Sequence, residues 1–137
     1  MPGNTTLYKS PRAFLPMLWT ANNLPPNANV VAGVAGLQPG LDQMPIARAG
    51  SVAAVLVLLS EAVTSGFITV TLRKNGSNTS TQVRIDPVDG TTKVAELPLG
   101  NTAYAVGDTV GIAVTTPAGL APAGQIDVVV YLEVQNV

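Results

Sequence analysis

Histidine and cysteine occur nowhere in the 137 residues. Without thiols there is neither a disulfide framework nor a thiolate metal site. Without imidazoles the chain lacks the commonest general base and the commonest metal ligand. Charge is scarce as well. Seven Lys and Arg and eight Asp and Glu make up 11% of the residues and leave a net charge of −1, against about 25% charged residues in an ordinary soluble domain. Only Arg73 and Lys74 are adjacent cations, so the clustered basic surface that captures nucleic acid is missing. The most apolar run, SVAAVLVLL (51–59), is far shorter than the roughly 20 residues of a membrane helix. Lys9 and Arg12 precede AFLPMLW, but Pro16 interrupts that stretch, and it is too short for a secretory signal. The reading is therefore no nucleic acid, no membrane and no self-directed export. A surface with so few charges is poorly protected against association, which leads us to expect other protein to cover part of it.

What the chain does have is period-two alternation. In ITVTLRKNGSNTSTQVRID (68–86), Ile68, Val70 and Leu72 alternate with Thr69, Thr71 and Arg73, and Val83 and Ile85 alternate with Gln82, Arg84 and Asp86. That is a half-buried strand, a turn and a second strand. Asn75-Gly76 supplies the positive φ of a hairpin turn, and the polar run Ser77–Thr81 predicts a loop longer than two residues. Comparable strands are expected at 29–36, 43–49, 51–60, 67–74, 81–86, 91–98, 109–116 and 125–135, separated by Gly, Pro, Asn and Asp. About eight short strands with frequent turn signals predict an all-β protein, an antiparallel β-sandwich of jelly-roll type.

Two regions differ in texture. Residues 1–28 hold five of the eleven prolines, which disfavour regular structure. They also concentrate Leu7, Tyr8, Phe14, Leu15, Met17, Leu18 and the single Trp, Trp19. We read them as an extended N-terminal arm that anchors on a partner or on the sandwich, with residues 29–137 as the sandwich domain. Strands 51–60 and 125–135 are apolar on both faces, whereas a two-layer sandwich normally wets one. This predicts an oligomer interface through Val55, Val57, Val129 and Tyr131.

Catalytic candidates are sparse. Asp86 and Asp89, in DPVDG, could hold a hard cation with Asp108, but the spacing completes no calcium loop and both dipeptides are ordinary turn formers. Glu61, Glu96 and Glu133 could supply a carboxylate pair for glycoside hydrolysis, although isolated acids on outward strand positions are usually solvated. Neither a phosphate loop nor a nucleophile elbow is present. Asn4, Asn75 and Asn78 match the glycosylation acceptor pattern, read here as chance matches in a chain with fourteen Thr. The expectation is a non-enzyme with no catalytic residue, metal or cofactor.

ARAGSVAAVLVLLSEAVTSGFITVTLRKNG, followed by AVGDTVGIAVTT and IDVVVYLEV, resembles the small jelly-roll virion proteins of tailed bacteriophages: head decoration (cement) proteins, head fibres and tail-fibre modules. The similarity spans about residues 47–135 and is one of strand texture. It implies a homotrimeric, non-enzymatic structural protein bound to the major capsid protein on the exterior of the virion, made in the host cytoplasm. The alternative it implies is a fibre module contacting host glycan, here through the 75–81 and 116–124 loops.

Overall fold

In the computed structural model, residues 14–34, 41–97 and 102–136 are described. They form two antiparallel sheets packed face to face. The strands are β1 (Phe14–Ala21), β2 (Ala28–Val31), β3 (Gly33–Val34), β4 (Gln43–Pro45), β5 (Gly50–Leu59), β6 (Ile68–Lys74), β7 (Ser77–Ile85), β8 (Thr92–Glu96), β9 (Ala103–Tyr104), β10 (Thr109–Thr116) and β11 (Val128–Asn136). One 3-10 turn, Pro87–Asp89, separates β7 from β8. The first sheet runs β3-β1-β11-β5-β8, with β9 beside β5. The second runs β2-β10-β6-β7, with β4 beside β10. Among the eight longest strands, β1, β2, β5, β6, β7, β8, β10 and β11, the first lies beside the last (β1 beside β11) and the second beside the seventh (β2 beside β10). This is the double Greek key of a jelly roll.

Each of the eight expected strands has a counterpart. The largest correction concerns the N-terminal region. Phe14–Ala21 is not an arm but the first strand of the jelly roll, paired along its length with β11 from Phe14↔Gln135 to Ala21↔Val128. The physical reason lies in MLWTA, which alternates like any strand: Trp19 and Ala21 are buried, whereas Leu18 and Thr20 point outward. Prolines did not prevent this. Among the described residues, β3 pairs with Trp19 and Thr20 of β1. Ala28–Val31 then forms β2, paired with β10. The sandwich therefore includes residues 14–28, and the expected arm residues Leu7 and Tyr8 lie outside the described residues.

The core joins both inner faces. Val52, Val55, Val57, Val128, Val130, Leu132 and Trp19 come from the first sheet, and Ile68, Val70, Leu72, Val110, Ile112 and Val114 from the second. Burying each such side chain stabilises by about 1.5–3 kcal/mol. Loop residues Leu24, Val63, Leu120 and Ile126 join the core at one end, and Ile46 and Tyr104 at the other.

Two details set the register. In β5 the pairing with β11 slips between Val52↔Val134 and Ala54↔Glu133, so Ala53 is the extra residue of a bulge. Simple alternation places Val52 and Val55 on opposite faces; the bulge turns both inward, with full burial. At the start of this strand, a Cβ on Gly50 would lie 2.6 Å from the Gln135 carbonyl oxygen, so a side chain would push β5 away from β11. The β6–β7 turn is the tight two-residue kind, with Asn75 and Gly76 both at positive φ (53° and 80°). The polar run Ser77–Thr81 thus belongs to β7, contrary to the longer loop expected. It accommodates a bulge opposite Leu72, where the Thr79 hydroxyl donates to the Leu72 carbonyl at 2.7 Å.

Candidate docking surface

The outer face of the first sheet carries the most distinctive arrangement on the molecule. Pairing registers place Leu18 opposite Tyr131, Tyr131 opposite Leu56, and Leu56 opposite Val94. One row across four strands is therefore entirely apolar or aromatic. The next row is Thr20, Val129, Leu58 and Thr92. On the other side the row Glu133, Ala54 and Glu96 forms an acidic border. Leu18, Leu58 and Val94 are 42%, 39% and 58% exposed, more than isolated surface hydrophobics explain when they share a face. Cations are missing from these three rows.

The outer face of the second sheet is built differently. Its rows are Val31, Ala113, Thr71 and Gln82, then Asn29, Thr115, Thr69 and Arg84. Hydroxyls, amides and small residues dominate. The guanidinium of Arg84 lies over Phe67 with its carbon 3.8 Å from the ring centre.

The expected interface residues divide accordingly. Val129 and Tyr131 are on the outer face of the first sheet, half-buried. Val55 and Val57 are fully buried in the core and cannot meet a neighbour; Leu56 and Leu58, between and beyond them, are the residues of this strand that face outward. Sequence alternation assigned the two sets to opposite faces without saying which was inner. Leu18 and Val94 were the missed members, and only strand pairing brings them into the row.

The expected anchors divide too. Trp19 is fully buried and its indole Nε1 donates to the Asp42 carbonyl at 3.0 Å, so it belongs to the core and is not available as an anchor. Met17 packs against that core. Phe14 and Leu15 lie on β1 opposite Gln135 and Val134. Of the anchors in the described region, Leu18 alone is shown to be substantially exposed.

The acids are occupied or open. Asp86 caps the 3-10 turn, accepting from the Val88 amide at 3.1 Å, while Asp89 accepts from the Asp86 amide at 2.9 Å and from Lys93 at 3.1 Å. Asp108 sits elsewhere, accepting from the Asn75 amide at 3.0 Å and the Ala105 N–H at 2.8 Å, with Lys74 at 3.6 Å. These bonds hold the Asp89 and Asp108 carboxyls below the ordinary carboxylate range, with the backbone bond within the Asp86 cap leading for Asp89 and the Asn75 bond for Asp108. The three acids are not gathered into one site, and among the described residues no group of three or more metal-ligating side chains occurs. Glu96 and Glu133 flank Ala54 in one row, about 9.6 Å apart by strand spacing. Glu96 is exposed at the border of an open face, without the enclosure that tunes a general acid.

The two loops expected to meet glycan are at opposite ends of the sandwich. The Asn75 turn bonds Thr109 and Asp108, whereas residues 117–124 bond Asn27, Ser65 and Leu24.

No family model matches the chain, and no curated protein matches it. Solved structures that resemble it include the CBM36-1 domain of a multidomain xylanase from the hindgut metagenome of Trinervitermes trinervoides, with a TM-score of 0.41 and 11% identity, covering 90% of this chain and 98% of that one.

Proposed function

We propose that the protein is a structural subunit of a tailed-bacteriophage virion, a decoration or cement protein that attaches to the major capsid protein as a homotrimer and reinforces the head shell. The observation that carries this reading is the four-strand apolar row Leu18–Tyr131–Leu56–Val94 on an outer face. Such a face is suited to contact with protein. The Thr- and Asn-rich outer face of the second sheet suits a particle exterior that must stay soluble with few charges. The segment before β1 supplies Leu7 and Tyr8 as shell-gripping side chains, a smaller set than the sequence alone proposed. Three attached copies multiply modest contacts through effective concentration.

The test is co-sedimentation with emptied, expanded heads of the phage that encodes the chain. Saturable binding and a higher melting temperature of the decorated shell are expected. Binding to intact host cells, with none to shells, would replace this reading by the fibre-module alternative.

A further inference from the structure

Asparagine followed by glycine occurs once in the chain, at Asn75-Gly76, and the fold puts that pair between β6 and β7, with Asn75 exposed. We propose that Asn75 is a modification site. Its side-chain amide is converted to a carboxylate by attack of the neighbouring backbone nitrogen, and a clamp onto the turn before β10 sets the rate. The proposal is independent of the decoration reading.

The chemistry needs only water. The Gly76 backbone nitrogen, freed of its proton by hydroxide, bonds to the side-chain carbonyl carbon of Asn75. The bond from that carbon to the amide nitrogen breaks, ammonia leaves, and a cyclic succinimide closes. Water then opens the ring. Opening at the side-chain carbonyl gives aspartate; opening at the main-chain carbonyl gives isoaspartate, with the chain rerouted through the former side chain. One water enters and one ammonia departs, with no oxidant or reductant. Glycine favours the step because it carries no Cβ to hinder approach to its nitrogen. The turn requires the same pair, since both residues hold positive φ, 53° and 80°. Strand pairing closes at Lys74↔Ser77, which leaves the Gly76 N–H outside the ladder. Chain neighbours aside, the nearest atom to a Cβ at Gly76 would be the Gln43 amide nitrogen, at 3.8 Å, so the approach is open.

What opposes attack is where the side chain is held. Asn75 Nδ2 donates to Asp108 Oδ1 at 3.0 Å, and Asn75 Oδ1 accepts from the Thr109 N–H at 2.9 Å. Asp108 is fixed in turn by the Ala105 N–H at 2.8 Å, with Lys74 at 3.6 Å. Ring closure must swing the amide carbon onto the Gly76 nitrogen, which breaks both bonds of the amide. The clamp therefore keeps the folded chain slow, and opening of this end releases the reaction. The change is also one-way. In the product a carboxylate oxygen replaces the donor that faced Asp108, and two like charges at hydrogen-bond distance repel. Isoaspartate further lengthens the backbone inside a two-residue turn, against the Lys74↔Ser77 register. The clamp cannot re-form.

The test follows the full chain in mildly alkaline buffer, folded or in urea. Trypsin then releases peptide 75–84, bounded by Lys74 and Arg84. Mass spectrometry reads the replacement of NH2 by OH at Asn75, with Asn78, which precedes Thr79, as a control within the same peptide. Modification should favour Asn75 and run about ten-fold faster in urea than in the fold, the factor that one hydrogen bond to a charged group supplies. In the folded chain Asp108→Ala, checked by circular dichroism, should raise the rate by a similar factor of about ten. Asp108→Asn, which keeps an acceptor oxygen, should fall between the two. The aged parent should unfold at lower urea than the fresh one, and Asn75→Asp should reproduce that shift. Equal rates in the fold and in urea would overturn the proposal without recourse to any variant, as would modification of Asn78 at the rate of Asn75. A slower reaction in Asp108→Ala would make Asp108 a promoter, and an unchanged rate would leave the turn alone as the protection; either result removes the clamp.

Discussion

The two sheets have equivalent inner faces and opposite outer ones. Inside, both present Val, Ile and Leu in alternation to a shared core. Outside, the first presents Leu18, Tyr131, Leu56 and Val94 in a row, and the second presents Asn29, Thr115, Thr69 and Arg84. Folding requires only the inner pattern. The outer difference concerns what each sheet meets after folding, so substitutions on opposite sides of one strand should separate stability from association.

The sharpest such contrast lies within β5. Val57 is fully buried, and Leu56, its neighbour, faces outward. Val57→Lys places an unpaired ammonium in the core, a change of several kcal/mol, comparable with the total stability of a domain this size. Loss of the cooperative urea transition is expected. Leu56→Lys should leave the stability of the monomer within about 0.5 kcal/mol of the parent. Equal damage from both would erase the distinction between the faces.

Next in size is Trp19. Its full burial and its bond to the Asp42 carbonyl predict blue-shifted, quencher-protected fluorescence in the unattached protein, and Trp19→Ala should cost about 3–5 kcal/mol in urea unfolding. Solvent-like emission would restore the arm reading that the structure replaces. A smaller effect compares lysines on the two outer faces. Val94→Lys should weaken self-association, measured by sedimentation equilibrium, whereas Gln82→Lys on the second sheet should not. Similar results from both would show that the apolar row is not the interface.

Much of this was legible in the sequence because alternation is local. Ile68, Val70 and Leu72 announce an inner face from their spacing alone, and the doubly apolar strand 51–59 announces that its second face is also unsuited to water. What was not legible depends on partners distant in the chain. The bulge at Ala53 arises from pairing with β11, about eighty residues on, and decides that Val52 joins Val55 inside. Trp19 looked like an anchor because four of its region's five prolines lie within ten residues of it, and the proline count outweighed the alternation of MLWTA. The apolar row required the order β1-β11-β5-β8. Val94, in TKVAE, gives no sign of it.

The smallest effect tests how the unlike sheets are tied together at one end. Tyr104, on β9 of the first sheet, donates its hydroxyl to the Arg73 carbonyl on β6 of the second at 3.1 Å, and Lys74 reaches back to the Ala103 carbonyl at 3.2 Å. Burial, aided by the nearby Asp108 carboxylate, pushes the Tyr104 phenol up to about 12 from an ordinary 10.0. Between those values the unfolded chain gives up this proton while the folded chain keeps it. The unfolded state then binds fewer protons, and stability falls as pH rises. The contribution is complete below pH 10 and is lost as pH rises to about 12. The same reasoning has the opposite sign for Asp89 and Asp108, whose lowered values give stability above the ordinary carboxylate pKa of 3.8 and lose it as pH falls below. Tyr104→Phe removes one hydrogen bond between the sheets, about 1 kcal/mol at neutral pH, and should flatten the decline between pH 10 and 12. Urea midpoints of parent and variant, compared at neutral pH and at pH 11, measure both effects. If the two proteins lose stability in parallel on the alkaline side, the phenol is not the titrating tie, and the sheets are held at that end by the Lys74 contact and packing alone.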